Sequence, residues 1–233
     1  MPSPIVPSAQ SVAAFRAAHS LAAPQAGPFR CRVMTDPAEI AAAKRLQGEA
    51  YVRHGHLDAA RLTPEGWLPW HDDPPAAAWF GVFGARLVAA ARLIGPGRLP
   101  ALAHCPVPGP GPVVEPAGLA KAPGAPLIAT LLIYRAFYRE SLRRGDRWWV
   151  MTVAPALRAT LRVVVPGALT IGSRAVTMQE QFPGVRVGAY AYPAWGEVSA
   201  LTDGIRGVAA AAGDGEYGSF LRKVADFLGE GEP

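Results

Sequence analysis

The residue best suited to chemistry is a single carboxylate inside an apolar segment. Glu115 lies in the run Val113 to Ala120, which is typical of a buried strand. Burial disfavours the charged form of a carboxylate and raises its pKa, so Glu115 can act as a general base, directly or through water. The alternative is a structural carboxylate that pairs with Arg45 or Arg92. Such a pair would lower the pKa and weaken the base, and the sequence leaves both interpretations open.

Four histidines fall in predicted loops or at a predicted helix end. They are His54, His56, His71 and His104. Any of them is an alternative base, although surface histidines are the common case. Together with the acidic pair Asp72 and Asp73 they raise the question of a metal site. No pair has the i, i+4 spacing of ligands on one helix face, so we predict no metal.

The segments around Glu115 are predicted to form a strand, a turn, a helix and a second strand. A Gly- and Pro-rich turn follows the first strand, and the apolar residues of 127–142 recur with helical spacing. Gly145 marks the end of this helix. The apolar run Trp148 to Val153 favours a strand that is buried on both faces and parallel to its neighbour. This βαβ unit is the predicted centre of the fold.

Further elements are predicted on either side of this unit. Upstream, we predict a strand at 29–34, a helix from the N-cap Asp36 to about residue 52, and a hairpin of strands 76–83 and 87–94. Downstream, we predict helices at 155–165, 204–212 and 217–228, and strands at 168–171, 175–178 and 185–192. The proline-laden segment 96–112 is predicted to be a loop without helix.

We divide the chain into a flexible N-terminal arm (1–28), a main domain (29–200) and a C-terminal helical extension (201–233).

Composition limits the classes of function. Hydrophobic residues make up 50% of the 233 residues, and no apolar run reaches the roughly 18 residues of a membrane span. Cys31 and Cys105 form no CxxC motif and no secretory signal is visible, so we expect a cytoplasmic protein. The formal charge of +5 suits an acidic or phosphorylated partner. Without an aromatic-basic platform or a helix-turn-helix pattern, we do not expect nucleic acid to be that partner.

Four segments, in order, resemble the autoinducer-synthase branch of the GNAT acyltransferase superfamily, and its long-chain N-acyl amino acid synthases in particular. They are Arg45-Leu46-Gln47-Gly48-Glu49-Ala50-Tyr51-Val52, the pair Asp72-Asp73, the strand 84–94, and the segment Val113 to Ala120. The order of the predicted elements is also that of the GNAT fold. The resemblance covers residues 32–195 and implies an α+β fold with a central mixed sheet flanked by helices, here with an extra C-terminal helical segment.

The resemblance implies transfer of a medium or long acyl group from acyl carrier protein or acyl-coenzyme A to an amine. The acceptor would be an amino acid, a peptide or a small molecule, and the thioester is a co-substrate rather than a permanently bound cofactor. By matching motifs, Arg45, Arg92 and Glu115 are the catalytic candidates. The candidates for binding the acceptor are Tyr51, Asp72 and Asp73. The tetrahedral oxyanion needs N–H donors, for which the backbone near residues 117 and 118 is the candidate.

The predicted donor site departs from the family pattern. Ala117-Gly118 stand where the family has a Ser-Arg pair, and the phosphate-binding loop keeps only Lys121 and Gly124. Pro123 and Pro126 offer no N–H to a phosphate, which favours a carrier-protein donor over tightly bound coenzyme A. The full set of donor- and acyl-binding candidates is Ala117, Gly118, Leu119, Lys121, Gly124, Trp67, Trp70, Trp79 and Phe80. The four aromatic residues are expected to line a tunnel for the acyl chain. The alternative for the two loop tryptophans is a cover over the protein's own core.

An arginine stripe on the central helix is a candidate docking surface for an acidic carrier protein. Arg135, Arg139 and Arg143 recur every four residues and share one helix face, with a solvated face as the alternative. Two further functions stay open. One is a non-catalytic acyl- or protein-binding module, consistent with the missing Ser-Arg pair. The other is a conventional acetyl-coenzyme A N-acetyltransferase, which the altered phosphate loop disfavours.

Overall fold

The fold combines one mixed sheet with helices on both faces. The computed structural model describes residues 6–19, 21, 24–69, 77–95, 97, 99–106, 109–178, 185–186 and 188–230. The helices are α1 (Ala9–Ala18), α2 (Pro37–Arg53), α3 (Leu127–Arg144), α4 (Pro155–Val164), α5 (Leu201–Ala211) and α6 (Glu216–Gly229). The strands are β1 (Arg30–Met34), β2 (Ala78–Phe83), β3 (Leu87–Ile94), β4 (Val113–Lys121), β5 (Trp148–Val153), β6 (Thr170–Ile171), β7 (Val176–Thr177) and β8 (Tyr190–Glu197). Short 3-10 turns lie at Ala59–Arg61, Pro100–Ala103 and Val198–Ala200.

The sheet opens between its two central strands. Its order is β1-β2-β3-β4-β5-β8-β6, and β7 also pairs with β8. The pairs are antiparallel except for β4 and β5, which are parallel. The parallel pair is joined only at Val113 with Trp148 and at Val114 with Trp149. Since β4 continues to Lys121 without further pairing to β5, the strands separate beyond this point.

Helix α3 fills one face of the sheet. Its inward residues include Ile133 and Phe137, which belong to the main core together with residues of β2 to β5. Gly145 ends the helix with a φ of 73°, a left-handed conformation that glycine adopts without steric cost. The indole Nε1 of Trp149 donates to the hydroxyl of Ser141 at 2.8 Å and thereby joins α3 to β5.

The two C-terminal helices and α1 share this same core. Phe220 and Leu221 of α6 are buried in the cluster that holds Phe137. Phe15 of α1 is 7% exposed, and its ring lies 6.4 Å from that of Phe220. Residues 9–18, within the predicted N-terminal arm, form a helix whose Phe15 is buried. The three-part division of the chain stays a prediction.

Helix α2 covers the opposite face. Its N-cap is the predicted one, because the side chain of Asp36 accepts from the backbone N–H of Ala38 at 2.9 Å. The helix buries Ala43, Leu46 and Ala50 against Trp79 and other residues of the strands. The predicted α+β class with a central mixed sheet is confirmed.

Several boundaries differ from the prediction for identifiable reasons. The segment 96–112 contains the 3-10 turn Pro100–Ala103, because proline is tolerated at a first helical position where no N–H bond is needed. Strand β8 covers residues 190–197 rather than 185–192. Its Pro193 and Gly196 are typical of turns, but pairing with β5 overrides that local preference. Helix α5 begins at 201 rather than 204, and β6 and β7 have two residues each.

Among the described helices, none has the length and apolar character to cross a membrane.

We predict that Phe137→Ala destabilises the protein by about 3–5 kcal/mol, because it leaves a cavity in a core that does not collapse fully. Phe137 is 2% exposed and packs edge-on against Phe80, with ring centroids 5.1 Å apart. Urea denaturation followed by circular dichroism measures the change. Val33→Ala is the control, since Val33 is 44% exposed and its truncation should cost less than about 1 kcal/mol. Equal effects of the two substitutions would contradict this assignment of the core.

Candidate active site

Glu115 is buried where the sheet opens. It points to the face opposite Val114, because neighbouring strand residues alternate between faces. The residue is 4% exposed, and its Oε2 accepts from the backbone N–H of Ala101 at 3.0 Å. Burial raises the pKa of Glu115 to about 7, while the Ala101 hydrogen bond and the charge of Arg92 act in the lowering direction. Both protonation states are therefore populated near neutral pH, as a general base requires.

The 3-10 turn at 100–103 closes this site. Leu99, Ala101 and Cys105 form a small apolar cluster with Ile94 and Val150 over the sheet. The thiol of Cys105 lies 3.4 Å from the carbonyl oxygen of Met151 and 3.5 Å from that of Ala194, within reach of hydrogen bonds that it donates. Burial raises the pKa of this thiol to about 11. Glu115 is thus shielded from solvent in this conformation.

Arg92 and Tyr51 lie near Glu115. Arg92 is 8% exposed on β3 and pairs in register with Ala117, two residues beyond Glu115. Tyr51 projects from α2. Burial raises the pKa of Tyr51 to about 12, with a lowering contribution from the charge of Arg92 and a raising one from Glu115. The Tyr51 hydroxyl therefore stays protonated at neutral pH.

A contact between Gln47 and Gly118 was not predicted from the sequence. Gly118 has a φ of 63° and lies where the pairing of β3 with β4 shifts register. The side-chain Nε2 of Gln47, on α2, donates to the carbonyl oxygen of Gly118. A β-carbon at 118 would fall on this amide. The sequence signal was a glycine inside a strand, which indicates a bulge or a close approach. The group that approaches here is a side chain of the protein itself.

Arg45 does not join Glu115. It is exposed on α2, and its Nε lies 3.4 Å from the carbonyl oxygen of Glu65, to which it donates. Of the three catalytic candidates, the structure therefore brings together Glu115 and Arg92 and places Arg45 at the 63–66 turn.

In the predicted phosphate loop, backbone N–H and C=O groups already form hydrogen bonds with other groups of the protein. The N–H of Ala122 donates to the carbonyl of Val88 at 2.8 Å, and the N–H of Ala125 donates to that of Ala122 at 3.1 Å. The carbonyl of Lys121 accepts from Arg53 at 2.6 Å. Burial lowers the pKa of Lys121. With Pro123 and Pro126 also lacking N–H groups, this loop offers few donors to a diphosphate.

Two of the aromatic candidates, Trp79 and Phe80, lie on opposite faces of the sheet. Trp79 belongs to the cluster beneath α2, whereas Phe80 packs against Phe137 beneath α3. The expectation that both line one tunnel is wrong, because adjacent strand residues point to opposite faces. Trp67 is half-buried, with the ammonium of Lys44 5.0 Å from its ring. Trp70, Asp72 and Asp73 lie outside the described residues.

The predicted arginine stripe is partly occupied by contacts within the chain. Arg135 lies 4.8 Å over the ring of Phe227 and 3.3 Å from the carboxylate of Glu230. Arg143 donates twice to Glu140, at 2.7 and 2.8 Å. Arg139 is exposed. Docking by this stripe stays a prediction, with fewer uncommitted charges than the sequence suggested.

The histidines form no metal centre within the described residues. No group of three or more His, Cys, Asp or Glu side chains there could hold an ion. The rings of His54 and His56 lie 6.2 Å apart, and burial, aided by the charge of His54, lowers the pKa of His56. His104 ends the 100–103 turn, and His71 lies outside the described residues.

Comparison with known proteins gives the fold. No protein-family model and no curated protein matches the sequence. Among solved structures, FeeM, an N-acyl amino acid synthase from uncultured soil microbes, has a TM-score of 0.56 at 18% identity, over 76% of this chain and 94% of that one. The AHL synthase LasI has a TM-score of 0.54 at 14% identity, over 76% and 95%. The chain has a GNAT-type fold.

A third structure with this GNAT-type fold is a CoA-dependent acyl-homoserine lactone synthase, MesI. Its TM-score is 0.54 at 13% identity, over 80% of this chain and 96% of that one. In this GNAT-type fold, Glu115 and the bulge at Gly118 both lie on the central strand β4, at the opening towards β5. The predicted fold is confirmed, while the roles of the individual site residues stay predictions.

We predict that Gly118→Ala destabilises the protein by about 2–3 kcal/mol, because a positive φ disfavours alanine and the new methyl group displaces Gln47. Gly124→Ala is the matched control, since Gly124 also has a positive φ, of 74°, but no atom within 4 Å of an added β-carbon. The control should show only the backbone cost of about 1 kcal/mol. Chemical denaturation of both variants measures the difference, and equal losses would show that the Gln47 contact is unimportant for stability.

We predict that Glu115 makes stability depend on pH. A carboxyl whose pKa rises on folding from 4.5 to about 7 stabilises the native state fully below pH 4.5. This contribution falls as pH rises towards 7 and is constant above. Between those limits the wild type should lose on the order of 3 kcal/mol relative to Glu115→Gln, at about 1.4 kcal/mol per pKa unit. Parallel urea titrations at several pH values test this, and a constant difference would contradict the raised pKa.

Proposed function

We propose that the protein is an N-acyltransferase that moves a medium or long acyl group from a thioester to an amine. The observation that carries the proposal is the buried carboxylate of Glu115, with a pKa raised to about 7, at the opening between β4 and β5. A carboxylate paired directly with arginine would have a lowered pKa, so the net rise favours the base over the purely structural role.

The chemistry asks for a base and for stabilisation of negative charge. The neutral amine attacks the thioester carbonyl carbon, the C–N bond forms, and the C–S bond breaks. Glu115 accepts the proton that the amine loses, and the departing thiolate then takes up a proton. Backbone N–H groups near residues 117 and 118 are the proposed donors to the oxyanion. The buried cation of Arg92 also favours negative charge in this region.

The proteins that share the fold support an amine acceptor and a thioester donor. FeeM is an N-acyl amino acid synthase and MesI is a CoA-dependent acyl-homoserine lactone synthase. We propose an amino acid or a related small amine as the acceptor, with Tyr51 near it. Asp72 and Asp73 stay acceptor-binding candidates through the sequence resemblance alone. Since the amides of Ala122 and Ala125 are already bonded, we favour a carrier-protein arm over free coenzyme A as the donor. With such a donor and two free cysteines, we place the protein in the cytoplasm.

Catalysis requires the 100–103 turn to move. The turn covers Glu115 and bonds it through the N–H of Ala101. The segment packs through Leu99, Ala101 and Cys105 in a cluster that is separate from the main core. A segment held by a small cluster opens at lower free energy than the main core, so opening of this turn need not unfold the domain.

The test is direct incubation of the purified protein with two donors, dodecanoyl-coenzyme A and dodecanoyl-acyl carrier protein. The acceptors are the protein amino acids as a pool and butylamine, and mass spectrometry detects the N-acyl product. Transfer with either donor supports the proposal. Absence of transfer from both donors by folded protein would contradict it.

We predict that Glu115→Gln lowers kcat/KM by about 10²–10⁴-fold, since the amide cannot accept the proton. In the wild type, the ionised carboxylate is the active form. Its kcat/KM should therefore rise with pH up to about 7, independently of the amine's own titration, and the variant should lack this limb. Glu140→Gln is the control, since this carboxylate lies on α3 outside the candidate site and pairs with Arg143 and Arg144. An unchanged rate in Glu115→Gln would exclude it as the base.

The alternative function is a non-catalytic acyl- or protein-binding module. It is favoured by the closed position of Glu115 and by the absence of the Ser-Arg pair at 117–118. In that case, folded wild type and Glu115→Ala would bind dodecanoyl-acyl carrier protein equally well, and neither would form product.

A further inference from the structure

The side-chain amide of Gln47 is buried, and only its nitrogen has a hydrogen-bond partner among the described residues. Gln47 is 0% exposed, and its Nε2 donates to the carbonyl oxygen of Gly118. A carbonyl oxygen only accepts, so this contact determines which end of the amide faces β4. The Oε1 of Gln47 is also buried, and no donor among the described residues reaches it. A buried oxygen that accepts no hydrogen bond costs desolvation free energy, so such an atom is expected to have a partner in the functional state.

The position of Gln47 indicates where that partner would come from. Gln47 lies one helical turn before Tyr51, so both side chains share a face of α2. This face crosses β3 and β4, where Arg92 and Glu115 are buried. Tyr51 is close enough to interact with the charges of both. The unused oxygen thus lies between α2 and β4, on the helix face that also carries Tyr51.

We propose that Gln47 binds the acceptor amine, its Oε1 accepting a hydrogen bond from one N–H of the incoming amine. This inference rests on the proposed function and adds to it a residue that orients the nucleophile. Oε1 is shielded in this conformation, as Glu115 is, so the amine binds in a state in which the covering elements have opened.

The geometry of a neutral primary amine explains why two acceptors are useful. Such an amine has two N–H groups and one lone pair. With one N–H bonded to Gln47 and the other directed to Glu115, the lone pair is left for the thioester carbon. When the C–N bond forms and the C–S bond breaks, the proton directed to Glu115 is transferred to it. The proton bonded to Gln47 stays on the product amide.

Gly118 makes this arrangement possible. A β-carbon at position 118 would occupy the position of the Gln47 amide. The absence of a side chain at Gly118 on β4 therefore leaves the space that the Gln47 amide on α2 occupies. The amide is held from one end by the Gly118 carbonyl, which leaves the other end fixed in direction and ready to accept.

The test compares Gln47→Leu and Gln47→Glu with the wild type. The donor is whichever of dodecanoyl-coenzyme A and dodecanoyl-acyl carrier protein supports transfer, and the acceptor is the most reactive of the pooled amino acids. Leucine has a similar volume but no polar atom, so the amine KM should rise about tenfold or more while the donor KM stays within about twofold. Gln10→Leu, the same change at an exposed position of α1, should leave both constants unchanged.

Gln47→Glu adds a second measurement, the pH dependence of the amine KM. A purely structural role of Gln47 would not change this dependence in the same way. A protonated carboxyl donates to Gly118 through its O–H and accepts through its C=O, as the amide does. At each pH, the amine KM of the variant is divided by that of the wild type. This ratio should be close to 1 at about pH 6 and rise at about pH 8 as the carboxyl ionises. This variant also remains informative if Gln47→Leu does not fold.

The outcomes separate this inference from the proposed function. If the wild type transfers acyl groups and the amine KM is unchanged in Gln47→Leu and in Gln47→Glu, the inference is overturned and the proposed function stands. A joint change in kcat and donor KM with a constant amine KM would show that Gln47 only supports the bulge, which also overturns it. Absence of transfer by the wild type overturns both.

Discussion

The separation of β4 from β5 after two residue pairs is the constraint on which the site depends. Parallel strands that stayed paired would bond the edge of β4 along its whole length and leave no room beside Glu115. Here β4 extends seven residues beyond Val114 without a bond to β5. At this opening β5 and β8 are covered by Cys105, whose thiol reaches two backbone carbonyls. The gap and its removable cover together define a place where a substrate can approach the strand backbone.

Within that gap, burial and charge act on Glu115 in opposite directions. Removing a carboxylate from water disfavours its charged form, whereas Arg92 and the N–H of Ala101 favour it. The balance lies on the side of burial, and the pKa is raised to about 7. Had a guanidinium bonded the carboxylate directly, the same strand would carry a permanently ionised, weakly basic group. The placement of Arg92 beside Ala117 instead of beside Glu115 in the sheet register is therefore part of how the site is tuned.

Much of the fold could be predicted from local sequence pattern, and the site only in part. Asp36 caps α2 and Gly145 ends α3 because these effects act within a few residues. Glu115 was recognisable as a carboxylate in an apolar strand. The opposite orientation of Trp79 and Phe80 follows from strand alternation and was available from the sequence, but the tunnel hypothesis ignored it. The Gln47–Gly118 contact joins residues 71 apart, and the turn over Glu115 contradicts a simple interpretation of its prolines. Such long-range packing leaves no periodic signal.

The sharing of one core by the first and last helices has a consequence for biosynthesis. Phe220 and Leu221 are packed with Phe137, and Phe15 packs on Phe220. During translation, the segment up to α3 therefore emerges from the ribosome long before the residues that complete its apolar surface. The nascent chain must carry this uncovered surface until α6 is synthesised, which makes it a candidate for chaperone binding and aggregation at that stage.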